Sequence, residues 1–366
     1  MDGPRRDHPL WRNQPVIVSA GRITADDTGC TMAGAALLEP DDRSWAGTLS
    51  RISHDVYHLP EYVRIDAGLT GGTPAAFRYE EAGRVLLVPL VLRPVPDTDL
   101  RDALSPYGYP GPVGDPGPGF WSRAGQAMAE FLGTRGIITT FVRMHPLLST
   151  PIAALARAGT VVQHGETVSV DLTLTTEQLW QQTHRTHRNQ INKARRAGVS
   201  IVFDDWSWFD EWIGAYHATM RRVGATEFYF FTAAHFHRLR AALGDRIHLA
   251  AAVSAEGELL GGNLFFAYAG MMHTHLQATR DGSTSYADKL LYDEVRRWGR
   301  EHGNTVYHLG GGLGGQADSL FRYKAAFGSG RHPFHTWRVV ADRGAFEKLA
   351  GVPTPELLTG RFPPYR

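Results

Sequence analysis

The segment 286–328 carries several local structural signals in a fixed order. The sequence predicts a helix, a strand, a glycine-rich turn and a short cationic helix, at 287–302, 305–309, 310–315 and 320–327. Leu291, Val295 and Trp298 fall at i, i+4 and i+7, which gives the first helix one apolar face, and Gly303 is a natural stop after it. We therefore expect an α/β arrangement in this part of the chain.

Chain length and composition limit the class of protein. A chain of 366 residues is too long for one hydrophobic core, which predicts two domains. There is no run of about 18 apolar residues and no apolar segment at the start, so we expect a cytoplasmic protein. The single cysteine, Cys30, excludes an intrachain disulfide and a cysteine zinc site, and we expect no metal. Because 38 basic residues face 37 acidic ones, a polyanion would need a local basic patch.

A hairpin followed by a helix and a strand is predicted twice. The first set consists of a hairpin at 75–79 and 84–92, a helix at 120–132 and a strand at 137–143. The second set begins with a hairpin at 247–254 and 259–268. A third strand at 271–277 follows this hairpin and precedes the helix and strand described above. The repetition favours two similar α/β domains, although such elements are common enough to recur by chance. The Pro- and Gly-rich stretch 94–119 is predicted to be a long functional or mobile loop, which presents Tyr107 and Tyr109 as a stiff aromatic edge.

The segment 175–198 is predicted to be a basic helix. Thr175 and Gln178 can form a capping box at its start, and Gly198 can end it. Its cations are Arg185, Arg188, Lys193, Arg195 and Arg196. A phosphate-rich partner would suit this surface, whereas the plainer interpretation is a solvated surface helix.

The glycine-rich turn G-G-G-L-G-G at 310–315 can hold a ligand or an anion close to the backbone. It contains G-x-G-x-x-G after a strand, but no acidic residue lies about 20 positions further on, which argues against a dinucleotide site. No P-loop and no G-x-S-x-G motif occurs, so a hydrolase triad is not expected. A flexible turn without function is the alternative.

Polar residues on the strands before this turn predict a cleft. His273, His275 and Gln277 alternate, so their side chains are expected to face the same way and line the cleft. Asn263 on the preceding strand and a pair at the start of the following helix complete the predicted cluster; that pair is Tyr286 and Lys289. Two histidines without a third ligand do not indicate a metal site. Structural roles remain an alternative for each of these residues, and His235 and His237 are expected at the surface.

The ordered set of signals resembles the catalytic half of the Fem-type (FemABX-like) transferases, a branch of the GNAT acyltransferase superfamily. The matching residues lie between Asn263 and Gly328 and include Y-K-A-A-F-G at 323–328. The resemblance implies two tandem GNAT-like domains with mixed, largely antiparallel sheets flanked by helices. The sequence contains no long heptad-bearing insertion, so we expect no coiled-coil arm. The implied boundaries are a lead-in at 1–44, domains at 45–159 and 160–339, and a tail at 340–366 that packs on the first domain.

The resemblance implies an aminoacyl-tRNA-dependent aminoacyltransferase that forms an amide or peptide bond. The acceptor would be a peptidoglycan precursor or a natural-product amine, and no cofactor is expected besides aminoacyl-tRNA as co-substrate. A first alternative is an acyl-CoA-dependent N-acyltransferase acting on a sugar or small-molecule amine. The chain lacks the Gln/Arg-x-x-Gly-x-Gly/Ala loop of many GNAT enzymes, which weakens that alternative. A second alternative is a non-catalytic protein that binds tRNA or another polyanion.

Three groups of site residues follow from the patterns and the resemblance together. The catalytic candidates are Lys324, whose charge would lie near the oxyanion, with His275 and Tyr286. The candidates for donor or tRNA binding are Arg185, Arg188, Lys193, Arg195, Arg196, Lys289, Gly310, Gly311, Gly312, Phe321 and Phe327. The candidates for acceptor binding are Tyr107, Tyr109, Asn263, His273 and Gln277.

Overall fold

A computed structural model describes residues 16–18, 34–280, 286–351, 353 and 360–366. Most of the predicted lead-in lies outside these residues. The chain forms two compact units. The first comprises Met1–Glu166, Leu313–Gln316 and Pro333–Arg366, and the second comprises Thr167–Gly312 and Ala317–His332.

Strands and helices alternate along the described chain. The strands are β1 (Val16–Val18), β2 (Ala35–Leu38), β3 (Thr73–Glu81), β4 (Arg84–Pro94), β5 (Arg101–Leu104), β6 (Val113–Gly114), β7 (Ile137–Arg143), β8 (Thr160–Asp171), β9 (Ser200–Phe203), β10 (Ile247–Val253), β11 (Leu259–Tyr268), β12 (Met271–Thr279), β13 (Val306–Gly311) and β14 (Gly330–Val340). The helices are α1 (Arg43–Leu49), α2 (Pro60–Thr70), α3 (Pro118–Gly133), α4 (Ile152–Leu155), α5 (Thr176–Gln182), α6 (Arg185–Arg196), α7 (Phe209–Arg222), α8 (Ala233–Leu243), α9 (Ala287–Glu301), α10 (Ser319–Ala325) and α11 (Arg343–Ala350). Short 3₁₀ helices include Val56–His58 and Glu227–Tyr229.

The first unit contains a mixed sheet in the order β2-β3-β4-β5-β7-β14. Its strands are antiparallel except for the parallel pair β5 and β7. Helix α3 packs on this sheet and buries Trp121, Met128 and Leu132. Strand β4 is almost entirely apolar, as expected for a strand enclosed within a core.

The second unit contains a mixed sheet in the order β8-β13-β12-β11-β10-β9. Only β12 and β13 run parallel. Helix α9 covers one face, because Leu291, Val295 and their neighbours at helical spacing are buried against the sheet. The predicted fold class, mixed and largely antiparallel sheets flanked by helices, is confirmed.

Most elements of the second unit match the sequence prediction, but the basic segment 175–198 does not. It was expected to be one helix and instead forms α5 and α6, with extended backbone at Thr183 and His184 between them. Two hydrogen bonds explain the break between α5 and α6. The His184 ring accepts a local hydrogen bond from the Thr186 amide and so caps α6, and the His184 amide donates to the distant Ala326 carbonyl at 2.8 Å.

The stretch 94–119 is also more ordered than predicted. It contains the short strands β5 and β6, which pair with β4 and leave only brief loops around them. No helix among the described residues is long and apolar enough to cross a membrane.

Candidate active site

The sheet of the second unit opens between its two parallel strands. Strands β12 and β13 pair over only three residues, 271–273 with 306–308. Both strands then continue, β12 beside β11 and β13 beside β8, without pairing with each other. Backbone groups along the two inner edges are therefore available to a ligand at the carboxyl ends of these strands. We call this opening the split.

Lys324 and the glycine-rich turn meet at the end of β13. The Lys324 Nζ donates a hydrogen bond to the Gly311 carbonyl at 2.8 Å. Gly310 has a φ of 79°, which favours glycine, and the register of β13 against β8 shifts between His308 and Gly310. Burial lowers the pKa of Lys324 to about 8, against a smaller upward effect of the Asp318 charge. Lys324 and the glycine-rich turn, which are both predicted site features, are thus in direct contact, and Gly312 follows Gly311 in the chain.

Aromatic rings hold α10 in place. Tyr292 of α9 stacks on Phe327 at 5.0 Å and meets Tyr323 edge-on at 5.7 Å. His187 of α6 lies 4.7 Å from the Phe327 ring, and its Nε2 donates to the Tyr323 carbonyl at 3.2 Å. Burial lowers the pKa of His187, so this ring is neutral at pH 7. Phe327, predicted as a donor-binding residue, is fully buried in this cluster, whereas Phe321 is partly exposed beside Arg331.

A hydrogen-bonded chain of polar residues lies on the sheet beneath α9. The Asn263 amide donates to the Tyr307 hydroxyl at 2.8 Å, and that hydroxyl also bonds to Thr274 at 2.7 Å. The Tyr292 hydroxyl donates to Gln277 at 3.1 Å. Burial raises the pKa of Tyr307 well above its usual value, so it stays protonated. Asn263 is fully buried, and in this structure it supports the site from behind without lining it.

The start of α9 presents cations beside these rings. Tyr286 has a left-handed backbone with φ 56°, which is uncommon for a bulky residue, and the Lys193 Nζ lies 5.4 Å from its ring. Lys289 pairs with Asp288 at 2.7 Å and lies 5.1 Å from the Tyr323 ring. Two predicted donor-binding lysines therefore lie on neighbouring parts of the second unit.

The cations of α6 divide into exposed and engaged groups. Arg185, Lys193 and Arg196 are exposed, and Arg188 is partly exposed. Arg195 instead makes ion pairs with two residues of α9, Asp293 at 2.6 Å and Glu294 at 2.7 Å. Arg195 therefore holds α6 on α9, while the others are accessible to a polyanion.

The predicted common orientation of the strand residues is wrong. A bulge on β12 opposite the step from Leu264 to Phe265 interrupts the alternation. Gln277 therefore faces α9, whereas His275 packs 4.4 Å from the Phe266 ring on the other side of the sheet.

Burial of the histidines also bears on their predicted roles. Burial lowers the pKa of His275 to about 3, which makes it a poor proton acceptor at neutral pH. His273 is fully buried, with its Nδ1 atom 3.2 Å from that of His308. His235, expected at the surface, is buried, while His237 is exposed and pairs with Asp210.

Two predicted acceptor-binding residues belong to the first unit. The Tyr107 carbonyl accepts a hydrogen bond from the Tyr62 hydroxyl at 2.7 Å, and Tyr109 packs edge-on against Tyr57 at 6.0 Å. The loop is therefore anchored to α2 and the turn before it. All other predicted site residues lie in the second unit.

Four residues of the site were missed from the sequence: Thr274, His187, Tyr292 and Tyr307. Tyr292 and Tyr307 lie at positions that the periodicities of α9 and β13 predict to be buried. Because a buried tyrosine hydroxyl needs a hydrogen-bond partner, both residues could have been inferred from the sequence. His187 offered no such signal, because its contacts come from α10.

No protein-family model matches the sequence, and no curated protein matches it either. Among solved structures, the crystal structure of FemX is similar with a TM-score of 0.66 and 13% sequence identity, over 86% of this chain and 99% of FemX. The chain has the FemX fold. L-PGS from Bacillus licheniformis is similar with a TM-score of 0.54 and 17% identity, over 88% of this chain and 98% of that one.

A third similar structure is the C-terminal domain of a putative lysylphosphatidylglycerol synthetase from Agrobacterium fabrum. Its TM-score is 0.53 at 15% identity, over 86% of this chain and 95% of that one. Likeness at these identities concerns the fold, and it confirms the predicted Fem-type resemblance at that level.

Proposed function

We propose that this protein is an acyltransferase that moves an aminoacyl group from aminoacyl-tRNA to an amine and forms an amide bond. The observation that carries the proposal is the position of Lys324, half-buried among aromatic residues with its Nζ on the Gly311 carbonyl beside the split. The shared fold and the Fem-type resemblance of the sequence support the same class of reaction.

This reaction requires the enzyme to position the acceptor nitrogen against the ester carbonyl and to stabilise the oxyanion that forms. It requires no covalent intermediate with the enzyme. The acceptor nitrogen attacks the ester carbonyl carbon, and an oxyanion forms on the carbonyl oxygen. As this collapses, the carbon–oxygen bond to the tRNA ribose breaks, the ribose oxygen takes a proton, and the nitrogen loses one. A fixed ammonium at the developing oxyanion lowers the barrier without reorganising. We assign that part to Lys324.

The donor's phosphates would be bound by the accessible cations of α6. Arg185, Lys193 and Arg196 are exposed, and the hydrogen bond from the His184 amide to the Ala326 carbonyl fixes the start of α6 against the end of α10. A phosphate chain on α6 could therefore lead towards the helix that carries Lys324. Arg195 is excluded from this role by its ion pairs. Because aminoacyl-tRNA is the proposed donor, we expect the protein to act in the cytoplasm.

The acceptor is proposed to be a peptidoglycan precursor or a natural-product amine. Of the acceptor-binding candidates, Tyr107, Tyr109 and Gln277 are partly exposed, whereas Asn263 and His273 are enclosed. Among the candidates of the second unit, we therefore assign direct contact with the acceptor to Gln277.

Co-purification at low salt tests the donor. The protein is isolated without nuclease, and any bound RNA is sequenced. We expect one tRNA family to be enriched, and we expect salt to release it, because phosphate contacts displace counterions. A triple variant, Arg185→Gln with Arg188→Gln and Arg196→Gln, should lose the RNA.

The matched control removes three exposed arginines of the first unit, Arg51, Arg64 and Arg343. This control should retain the RNA. If no tRNA is found above background and the protein is retained on a CoA resin, the tRNA proposal is contradicted and the acyl-CoA-dependent alternative is favoured.

A further inference from the structure

The connection between α7 and α8 exposes large apolar side chains on a rigid base. Val223 is 63% exposed and Phe228 is 43% exposed, and both lie within the segment 223–230. The Phe228 ring meets Tyr229 edge-on at 5.3 Å and the buried Phe231 at 5.8 Å. Phe228 is therefore held outward by aromatic packing, because Phe231 occupies the core position beneath it. We call 223–230 the aromatic connection.

Positive charge surrounds the aromatic connection. Helix α7 carries acidic residues in its first turn and Arg221 and Arg222 in its last. Between residues 217 and 240 there are four arginines and one glutamate, a net charge of +3 with histidines neutral. Arg222 is anchored, since its guanidinium donates to the Thr279 carbonyl at 3.3 Å, whereas Arg221 and Arg238 are exposed.

This combination distinguishes the connection from ordinary surface. Single exposed apolar residues are common and need no explanation. Here two of them share one connection with partly exposed aromatic rings and a cationic rim. Two side chains give too little apolar area for a stable protein–protein contact, which buries on the order of 1,000 Å² or more. A bilayer needs only shallow insertion of such groups, assisted by attraction between arginines and anionic headgroups.

We propose that the aromatic connection docks this protein on the surface of an anionic lipid bilayer. Val223 and Phe228 enter the boundary between headgroups and acyl chains, while Arg221 and Arg238 contact lipid phosphates. The end of α7 is fixed to the carboxyl end of β12 by hydrogen bonds between Thr219 and Thr279 in both directions, near 3.0 Å. Docking therefore brings the β12 edge of the split close to the membrane surface. The proposal does not depend on which acyl donor the protein uses.

Sedimentation with sucrose-loaded vesicles tests it, using the full-length protein. We expect binding to vesicles that contain phosphatidylglycerol and at least tenfold weaker binding to phosphatidylcholine alone, with loss at high salt. Arg221→Gln should weaken binding about fivefold, the effect of one cation near an anionic surface. The double variant Val223→Ser with Phe228→Ser should weaken it at least tenfold. Its thermal unfolding should stay close to that of the wild type, because Val223 and Phe228 are 63% and 43% exposed and lie outside the core.

Ile17→Ser is the matched control, since Ile17 is 51% exposed in the first unit. It should bind vesicles as the wild type does. Equal binding to the two vesicle types would overturn the proposal, as would full binding by the double variant. Sedimentation equilibrium without lipid provides the remaining check. A dimer that the double variant abolishes would assign the connection to a second copy of the chain and also overturn the proposal.

Discussion

Among single residues, Lys324 bears most directly on the proposed reaction. If its ammonium stabilises the oxyanion, Lys324→Ala should lower kcat/KM by about 10²- to 10³-fold, the usual cost of removing one such group. Folding should be intact, because the side chain contributes one hydrogen bond at the edge of the site. Transfer of radiolabelled aminoacyl groups to an amine measures the rate. Lys348→Ala, which removes an exposed lysine from α11, is the control. Equal activity in wild type and Lys324→Ala would contradict the role given to Lys324, whereas an absence of transfer by the wild type would leave the binding-only alternative.

The pH dependence of the rate tests the charge of the same residue. Burial lowers the pKa of Lys324 to about 8, so its ammonium form prevails below that pH and disappears above it. The rate should therefore fall as pH rises through about 8. In Lys324→Arg the charge persists, and any remaining activity should lose this alkaline limb. A wild-type rate that increases through pH 8, with an increase that Lys324→Arg loses, would instead make the neutral Lys324 amine a proton acceptor, contrary to the proposed role.

The residue-level prediction succeeded where the signal was local and failed where it was not. The sequence Y-K-A-A-F-G drew attention to Lys324, but it could not reveal the Gly311 carbonyl that the ammonium contacts. His275 was placed beside Gln277 by strict alternation, and one extra residue in a bulge reversed its direction. A bulge depends on the neighbouring strand, so the sequence of β12 alone does not encode it.

At the level of elements, the contact between α6 and α9 depends on one buried carboxylate. Asp293 is fully buried and pairs with Arg195, Arg296 and Arg297. Arg296 is 1% exposed, and it also donates to the Leu179 carbonyl within α5 and to the Phe327 carbonyl just after α10. This arrangement holds α5, α6 and the end of α10 against α9 beside the proposed site.

Asp293→Ala should therefore destabilise the protein by about 3–5 kcal/mol, because it leaves the Arg296 charge buried without its carboxylate. Urea unfolding followed by circular dichroism gives the change in free energy. Glu294→Ala is the control: its side chain is 30% exposed and its ion pair with Arg195 should contribute less than about 1 kcal/mol. Similar losses for the two variants would contradict the role given to Asp293.

Elements with strong periodicity were predicted well, and those fixed by distant partners were not. Helix α9 and the β10–β11 hairpin follow their apolar patterns closely. The break between α5 and α6 was missed because it depends on the Ala326 carbonyl, which is remote in sequence. Strand β5 was missed inside a Pro- and Gly-rich stretch because it forms by pairing with β4 and β7.

For the whole molecule, the order of the elements along the chain does not show which of them assemble into the first unit. That unit contains both the early part of the chain and residues from Pro333 onward. Strand β14 pairs with β7, and the Tyr365 hydroxyl bonds to Thr139 at 2.9 Å. Periodicity shows that such elements exist, but it gives no information on pairing between residues about two hundred positions apart.

Phe346 tests this assembly. Its ring is fully buried, 5.9 Å from Phe362 and 6.1 Å from Tyr365. Phe346→Ala should cost about 3–5 kcal/mol, because a large cavity remains where the ring was. Phe228→Ala, at a ring that is 43% exposed, should cost far less in the same unfolding experiment.

The pattern of the loss is more informative than its size. Hydrogen exchange should show faster amide exchange in β7, which is remote from Phe346 in sequence but belongs to the same unit. Strands β10 and β11 of the second unit should keep their protection, since local stability follows the cooperative unit that a residue belongs to. Uniform loss of protection through both units would instead mean that the chain unfolds as one cooperative body, and the two compact units would then have no separate stability.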